Sequence, residues 1–493
     1  MNIRKTTAVL LALTLLAGNL AACGESEVNA PEETTAVSAD IPVAAEEEPA
    51  ETEVPLPAAD YDGYEVRVLN NISNFAYTNI GEEGLTGEAL DDAIFNRNKT
   101  VEDELNITFN IEKREYYDTN ATIQKVVSAG EDTYDFYTCD LNILLGHAMS
   151  GYDLNVLTVD SLDFDKPWWN RQAIDSVSIG DAVYGFFGDL HTGYFESHNT
   201  IVFNKNILTD LNLEDPYELV HNDEWTLDKM IGMMDAAKMD KDGDGKWTVE
   251  DQYGFTMFEG NWSLAFVTGA GEFIVQKDEN NLPVWNGLTD RFISVFERTA
   301  EGVFGSNTNN AQKAAGTLPG ELELYRLMFI YNRALFLITQ LGVLKNMRDV
   351  EFELGVVPSP KFDDLQKDYV SLIFQGANAV GIPMTNPDAE RTGLVLEYMA
   401  ARSTDTVRDV YMNQTLDFKY IQDEESQEML DVILSTGTFD IASVYNWGSF
   451  AGQVMTLLNT GKSDTIASIA ARFGKKILSD MEKTVNTFEE VGR

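Results

Sequence analysis

Residues 64–70 read YEVRVLN, residues 89–105 read ALDDAIFNRNKTVEDEL, and residues 107–111 read ITFNI. In the first and last of these stretches apolar side chains alternate with polar ones, which is typical of strands. Between them, Leu90, Ile94 and Val101 recur at the period of a helix. This order predicts a βαβ unit. A helix over about 119–129 and a strand at 134–137 continue the pattern, so the sequence predicts an α/β body with parallel strands.

Two further helices are predicted from capping residues and periodicity. Asn386, Pro387 and Asp388 supply an N-cap, a proline at the first helical position and an acidic residue in the first turn. The last helix is predicted to begin at Ser463. Its apolar stripe consists of Ile466, Ile469, Phe473, Ile477 and Met481. Stripes of this kind are typical of helices that pack on a core.

Charge and cysteine content narrow the possible classes of protein. The 493 residues contain 35 Lys and Arg against 81 Asp and Glu, which gives a net charge of −46. Such a chain lacks the cationic surface that neutralises phosphates, so nucleic acid is not expected as a partner. An anionic bilayer face is disfavoured unless a covalent anchor holds the protein there. Cys23 and Cys139 cannot form a disulfide scaffold, and Cys139 is expected to be a small buried apolar side chain.

The N-terminus has the pattern of a lipoprotein signal. Residues 1–22 begin with basic residues, continue with an apolar run, and end in Leu20-Ala21-Ala22 before Cys23, which matches a lipobox. The run is shorter than the roughly 20 residues that a membrane-spanning helix needs, which argues against an uncleaved transmembrane helix. Cys23 is therefore the predicted lipidation site for diacylglyceryl and palmitate groups. Residues 23–60 are rich in Glu and Pro and are predicted to be a disordered acidic tether.

Four motifs are spread along the body of the chain. They are Asp91–Asn98 (DDAIFNRN), Gly180–Gly185 (GDAVYG), Val202–Leu208 (VFNKNIL) and Leu354–Lys361 (LGVVPSPK). No single motif is specific, but their order and spacing are. Together they make the chain from Tyr61 onward similar to the extracellular solute-binding proteins of ABC importers, in the branch that includes the maltose-binding type, and particularly to their lipid-anchored forms.

This resemblance implies a two-lobed fold of the periplasmic-binding-protein type, with a hinge and a ligand cleft between two α/β lobes. The implied boundaries are 61–188 with 376–425 for the first lobe, and 195–371 with 426–493 for the second lobe. The chain is expected to cross between the lobes near 188–195 and 377–379. Glycines in these regions suit a segment that bends, namely Gly185, Gly188, Gly193 and Gly376.

Residues 240–251 read DKDGDGKWTVED and match a twelve-residue calcium loop. Acidic residues occupy positions one, three, five and twelve, and a glycine occupies position six. The predicted calcium ligands are Asp240, Asp242, Asp244, Lys246 through its carbonyl, Thr248 through water, and Asp251. Since Asp251 is shorter than the usual Glu, we expect modest affinity. The alternative interpretation is an acidic, solvated turn without an ion.

Aromatic side chains with polar neighbours favour a carbohydrate ligand, because a sugar ring has an apolar C–H face and a rim of hydroxyl groups. Trp168 and Trp169 are adjacent, and in an extended segment only one of them can face a core. One of the two is therefore expected to be presented to a cleft or an interface, where it would stack on the sugar. The resemblance implies that Trp447 stacks on the ligand from the second lobe and that Asp140 and Asp189 make polar contacts with it. The alternatives are that each tryptophan belongs to the core and that Asp140 caps a helix.

The sequence is therefore interpreted as a non-catalytic, lipid-anchored receptor on the extracellular face of the cell membrane. It is expected to capture a small solute, an oligosaccharide or other carbohydrate, and to deliver it to ABC permease subunits. The sequence motifs of zinc enzymes, serine hydrolases and phosphate loops are not found. Two alternatives stay open, a surface glycoside hydrolase with paired carboxylates and an adhesive sugar-binding protein.

Overall fold

The alternating segments at residues 64–70 and 107–111 form neighbouring parallel strands joined by the helix at Ala89–Leu105, so the predicted βαβ unit is confirmed. The structure is a computed structural model, and it describes residues 55–72, 78–258, 260–306, 308–347, 350–415 and 424–491. The predicted signal peptide, Cys23 and all but the last residues of the predicted tether lie outside these ranges.

Twelve strands and fifteen α-helices follow one another along the described residues. The strands are β1 (Tyr64–Ile72), β2 (Ile107–Glu115), β3 (Phe136–Asp140), β4 (Asn199–Asn204), β5 (Tyr253–Met257), β6 (Gln276–Lys277), β7 (Pro283–Val284), β8 (Ala334–Gln340), β9 (Leu354–Val357), β10 (Ser371–Leu372), β11 (Asn378–Gly381) and β12 (Gly437–Thr438). The helices are α1 (Ala89–Leu105), α2 (Tyr116–Ser128), α3 (Leu141–Ala148), α4 (Arg171–Val177), α5 (Lys205–Asp210), α6 (Pro216–His221), α7 (Leu227–Ala237), α8 (Leu264–Gly269), α9 (Asp290–Gly302), α10 (Leu324–Ile330), α11 (Ala389–Ser403), α12 (Glu424–Ser435), α13 (Ile441–Val444), α14 (Phe450–Asn459) and α15 (Ile466–Val491).

The first sheet has the strand order β11-β3-β1-β2. Strand β1 is parallel to both β2 and β3, whereas β11 returns from late in the chain and pairs antiparallel with β3. Val66, Val68 and Leu69 of β1 are fully buried, which explains the apolar character of this strand. The parallel topology predicted from the sequence therefore holds for three of the four strands.

The second sheet has the order β5-β8-β4-β9. Strands β5 and β8 are parallel, and β4 runs antiparallel to both β8 and β9. All of its strands lie between residues 199 and 357, whereas the strands of the first sheet lie within 64–140 and 378–381. The lobe boundaries implied by the resemblance stay a prediction.

Two segments that connect the sheets run side by side. Phe374 donates its backbone N–H to the carbonyl of Ser197 at 3.0 Å, and Ile373 forms an antiparallel bridge with His198. Asn199 adds a side-chain bond from its Nδ2 to the carbonyl of Leu372 at 2.9 Å. The segments before β4 and after β10 are therefore fixed to each other between the two sheets.

Helix ends differ from the predictions in two places. Asp388, not Asn386, is the N-cap of α11, and its side chain accepts the backbone N–H of Arg391. The side chain of Asn386 instead accepts the backbone N–H of Asp388. Asn386, which was predicted to be the N-cap, therefore stabilises the turn that precedes the helix. The last helix begins at Ile466 rather than at Ser463.

One of the glycines predicted at the bends, Gly188, is required by close packing. Gly185, Gly188, Gly193 and Gly376 are not among the described glycines with a positive φ. A Cβ on Gly188 would lie 2.5 Å from the carbonyl oxygen of Trp168 and from the ring of Trp169. Close packing, rather than an unusual backbone conformation, therefore requires glycine at this position.

Residues Leu56–Arg493 form one compact unit. Cys139 is a buried free thiol in β3, as predicted.

Of the helices in the described part of the chain, none combines the length and the hydropathy that a bilayer crossing requires.

Candidate functional site

A cavity of about 300 Å³ lies between the two sheets, where the ends of strands from both sheets come together. The first sheet supplies the residues at the end of β3 and at the start of β11, and the second sheet supplies residues that flank β4, β5 and β8. The lining residues are Thr78, Asp140, Glu196, Ser197, Phe258, Gly260, Trp262, Glu323, Tyr325, Arg326, Gln340, Phe374, Gly376 and Asn378. Ligands of α/β proteins bind outside the carboxyl ends of the strands, which is where this cavity lies in the first sheet.

The wall that belongs to the first sheet is polar. Asp140 is the last residue of β3, and its antiparallel partner Asn378 is the first residue of β11. Asn71 of β1 donates from Nδ2 to Oδ1 of Asp140 at 3.2 Å. Both polar atoms of Asn378 are buried and have no hydrogen-bond partner among the described residues. Because buried polar atoms are nearly always bonded, this wall is suited to a ligand that carries hydrogen-bonding groups.

The carboxyl group of Asp140 is held in an unfavourable environment. Burial raises the pKa of Asp140 from its usual value to about 7, and the hydrogen bond from Asn71 acts in the opposite direction. Asp140 precedes α3, but its side chain makes no capping bond to that helix. The alternative that Asp140 serves as a helix cap is therefore not supported, and its carboxylate is available to the cavity.

The wall that belongs to the second sheet contains paired and unpaired polar groups. Glu196 is buried before β4 and lies 3.4 Å from Nζ of Lys345. Gln340 ends β8, and its buried Nε2 has no hydrogen-bond partner within the described ranges. Glu323 and Arg326 form an ion pair at 3.3 Å beside the cavity. Apart from Gln340, this wall therefore has its polar groups partnered internally.

An aromatic cluster completes the second wall. Phe258 directly follows β5, Trp262 lies in a short 3₁₀ turn, and Tyr325 belongs to α10. The ring of Trp262 is 5.6 Å from that of Tyr325 and 6.0 Å from that of Phe258, both in edge-to-face geometry. Phe258 is 45% exposed although it is a large apolar side chain. An exposed aromatic surface inside a cavity is suited to the apolar face of a ligand.

Trp168 and Trp169 do not extend into this cavity. Each is only 5% exposed, and both indole N–H groups donate to the carboxylate of Glu397 on α11, at 2.5 and 2.9 Å. The segment is not extended but forms a turn closed by a bond from Trp169 N to the carbonyl of Lys166, so the condition behind the expectation is not met; Trp169 also lines a second cavity. In this turn both side chains point to the same helix.

Trp447 is also an interior residue. It is 2% exposed, its Nε1 donates to Oγ1 of Thr484 on α15, and its ring stacks on Tyr445 at 5.1 Å. It does not line the cavity. The core alternative therefore describes Trp168 and Trp447, and we do not assign either to the ligand site.

Asp189 lines a different cavity of about 380 Å³, together with Trp169 and Arg408. Its Oδ2 accepts the hydroxyl of Thr404 at 2.8 Å, and its Oδ1 lies 3.7 Å from Nε of Arg408. Burial raises the pKa of Asp189 to about 6, and Arg408 opposes that shift. The structure therefore separates Asp189 from Asp140, although both were predicted to contact one ligand.

The predicted calcium loop brings three of its carboxylates together. Ligand oxygens of Asp240, Asp242 and Asp244 lie within 4.8 Å of one another. Asp251 is outside this group, because its oxygens accept the backbone N–H groups of Lys241 at 2.9 Å and of Thr248 at 2.8 Å. Asp251 therefore closes the loop through hydrogen bonds, and its place among the calcium ligands stays a prediction.

Sequence reasoning missed the aromatic cluster and most of the polar lining. Phe258 and Trp262 stand in a short segment, FEGNW, that follows a buried strand. An aromatic residue directly after a strand, followed by glycine and tryptophan, was the available signal. Nothing in the sequence pairs this segment with Tyr325 on a distant helix, since that contact depends on how β5 and α10 pack.

No sequence-family model matches the chain, and no curated protein matches it. An ABC substrate-binding protein from Listeria monocytogenes, solved in complex with cycloalternan, is 16% identical, with a TM-score of 0.52 over 87% of this chain and 100% of that chain. The apo form of RafE from Streptococcus pneumoniae is 11% identical, with a TM-score of 0.52 over 88% and 99% of the two chains. A cyclo/maltodextrin-binding protein complexed with maltotetraose is 13% identical, with a TM-score of 0.51 over 86% and 96%. These similarities confirm the predicted two-lobed α/β fold.

The pKa of Asp140 predicts how stability depends on pH. The folded protein holds this proton up to about pH 7, whereas an unfolded aspartate loses it near pH 4, so ionisation of Asp140 destabilises the empty protein as pH rises. Asp140→Asn cannot ionise and is expected to melt at a higher temperature than the wild type at pH 8. Its free energy of unfolding is expected to exceed that of the wild type by at most about 4 kcal/mol. The difference is expected to shrink toward pH 4.5.

Differential scanning calorimetry between pH 4.5 and 8.0 measures this effect. Asp181→Asn is the same substitution at an exposed position and serves as the control. A stability difference between Asp140→Asn and the wild type that does not vary with pH would contradict the assigned environment of Asp140.

Proposed function

We propose that the protein captures a carbohydrate in the cavity between the two sheets and presents it for import through an ABC permease. The observation that carries this proposal is the combination of an aromatic wall with a facing wall that holds Asp140 and Asn378, whose side chain has no partner among the described residues. Trp262 and Phe258 suit the C–H face of a sugar ring, and Asp140, Asn378 and Gln340 suit its hydroxyl rim.

The solved relatives support the same class of ligand. The protein from Listeria monocytogenes was solved with cycloalternan, and the cyclo/maltodextrin-binding protein was solved with maltotetraose. Both ligands are oligosaccharides. The proposal transfers this class of ligand to the present chain, and it assigns no covalent chemistry to the cavity.

Capture follows from contacts made on both sides of the ligand. One wall of the cavity belongs to the first sheet and the other to the second sheet, so a bound sugar is contacted by both. A ligand shifts a conformational equilibrium only through a difference in affinity between the states. We propose that a state in which both walls contact the sugar is favoured by binding, and that the permease recognises this state.

The central test compares two tryptophans that are both half-buried. Trp262 lines the cavity, whereas Trp247 packs edge-to-face on Tyr253 in a separate small cluster. Trp262→Ala is expected to weaken carbohydrate binding roughly tenfold to a hundredfold, because it removes the stacking surface. Trp247→Ala is expected to bind as the wild type does. Isothermal titration calorimetry with maltotetraose, cycloalternan and a carbohydrate library measures both variants.

Unchanged affinity in Trp262→Ala would contradict the assignment of the aromatic wall. If no carbohydrate binds the wild-type protein, the proposed function is wrong. Formation of shorter sugars during incubation would instead favour the glycoside hydrolase interpretation.

We further propose that the protein is a lipoprotein anchored at the extracellular face of the cell membrane through Cys23. The lipobox before Cys23 supports this location, and the acidic segment that follows it would carry the body away from an anionic surface. The intact mass of membrane-extracted protein is expected to show cleavage before Cys23 and the added lipid. Cys23→Ala is expected to abolish lipid attachment. A Cys23→Ala protein that is still cleaved and remains membrane-bound would contradict the anchor.

We also propose that the loop at residues 240–251 binds one calcium ion. Its three clustered carboxylates would repel one another without a cation, and hard oxygen ligands in a tight turn suit calcium. Because Asp240, Asp242 and Asp244 bring their oxygens together, the ion would be held chiefly by these three carboxylates. The carbonyl of Lys246, a water on Thr248 and Asp251 are the further predicted ligands. Fewer carboxylate ligands predict weaker affinity than that of a complete calcium loop.

Calcium at millimolar concentration is expected to raise the melting temperature, and chelation is expected to reverse the rise. Asp244→Asn removes one carboxylate and is expected to abolish this sensitivity. Asp228→Asn, at another exposed acidic position, is expected to retain it. Calorimetry that detects no calcium binding up to millimolar concentration would favour the solvated turn.

A further inference from the structure

The carboxylate of Asp140 borders the cavity without a cation beside it. Its Oδ1 accepts a bond from neutral Asn71, and burial is the dominant influence on its pKa, with no cationic residue lowering it. Oδ2 has no hydrogen-bond or ion-pair partner among the described residues. A carboxylate removed from water is costly unless it is paired. Asp140 therefore has an unused capacity to accept a charged donor.

The fold leaves room for a ligand at this carboxylate. A Cβ on Gly376 would lie 3.3 Å from Oδ2 of Asp140 and 2.7 Å from the ring of Phe374. Because residue 376 has no side chain, the space beside Oδ2 stays part of the cavity. Asn378, whose two polar atoms have no partner within the described ranges, is the neighbouring residue in the strand register.

The other charged side chains of the cavity are compensated within the protein. Glu196 lies 3.4 Å from Lys345, and Glu323 lies 3.3 Å from Arg326. Asp140 is thus the carboxylate of the described lining whose charge is left for a ligand to match. The side of the cavity at the end of β3 therefore holds a carboxylate that is unpaired among the described residues, whereas the carboxylates on the opposite side are paired.

The charge of the whole protein acts in the same direction. A net charge of −46 gives a negative potential, and a cavity with low-dielectric walls concentrates ligands of opposite charge. A sugar acid would be repelled at Asp140, whereas a protonated amine would be attracted. The face of Trp262 is compatible with either an apolar ring face or a cation.

We infer that the carbohydrate bound here carries a protonated amine, as an amino sugar does, and that this amine pairs with Asp140 while Asn378 and Gln340 bond its hydroxyl groups. The inference rests on the proposed function, since it names the class of carbohydrate that the same cavity takes. It goes beyond that function because cycloalternan and maltotetraose, the ligands of the two relatives cited above, carry no charge.

Matched sugars test this inference directly. Glucosamine, galactosamine and mannosamine, and the dimer and trimer of glucosamine, are each compared by calorimetry at pH 7 with the N-acetylated and the plain hydroxyl forms. The amines are expected to bind about tenfold or more tightly than both neutral forms, because a charge-assisted bond is stronger than a neutral one. Asp140→Asn is expected to abolish this preference. Asp181→Asn, the same substitution at an exposed position, is expected to retain it.

The outcomes separate this inference from the proposed function. Neutral sugars that bind in a Trp262-dependent way, as tightly as or more tightly than the amines, would overturn the inference and leave the proposed function standing. An amine preference that survives in Asp140→Asn would also overturn it. Failure of every sugar to bind the wild-type protein would overturn both.

Discussion

The pairing of two connecting segments, Ser197–His198 with Ile373–Phe374, is the constraint on which the site depends. It fixes the start of β4 in the second sheet beside the chain that leads into β11 of the first sheet. The ends of strands from both sheets consequently border one space. Without this pairing, Asp140 and Gln340 would end strands of unrelated sheets and would not line a common cavity.

The two walls of this cavity have different physical characters. The wall from the first sheet carries polar groups whose bonding capacity is unused, with Asn378 as the clearest case, whereas the wall from the second sheet carries aromatic rings. Leaving buried polar atoms without partners costs free energy in the empty protein. A ligand that supplies those partners recovers that free energy on binding, so the instability of the empty site becomes affinity for the ligand.

The sequence predicted what depends on local periodicity. Alternation at residues 64–70 and the helical period of α1 determine the βαβ unit. The position of Asp140 directly after a buried apolar stretch indicated that it lies at the carboxyl end of a strand. The tryptophans were harder to place, because an indole suits a core and a binding site equally well. The contact of both Trp168 and Trp169 with one helix was not predicted, since the turn at Lys166 was not recognised. Trp262 was missed because its partners come from distant parts of the chain.

The most direct measurement of the central claim is a crystal structure of the protein grown with the tightest-binding carbohydrate from the screen. A sugar ring against Trp262, with a polar substituent within hydrogen-bond distance of Asp140 and Asn378, is the predicted result. A sugar bound elsewhere on the protein, with these two walls in contact only with solvent, would contradict the account.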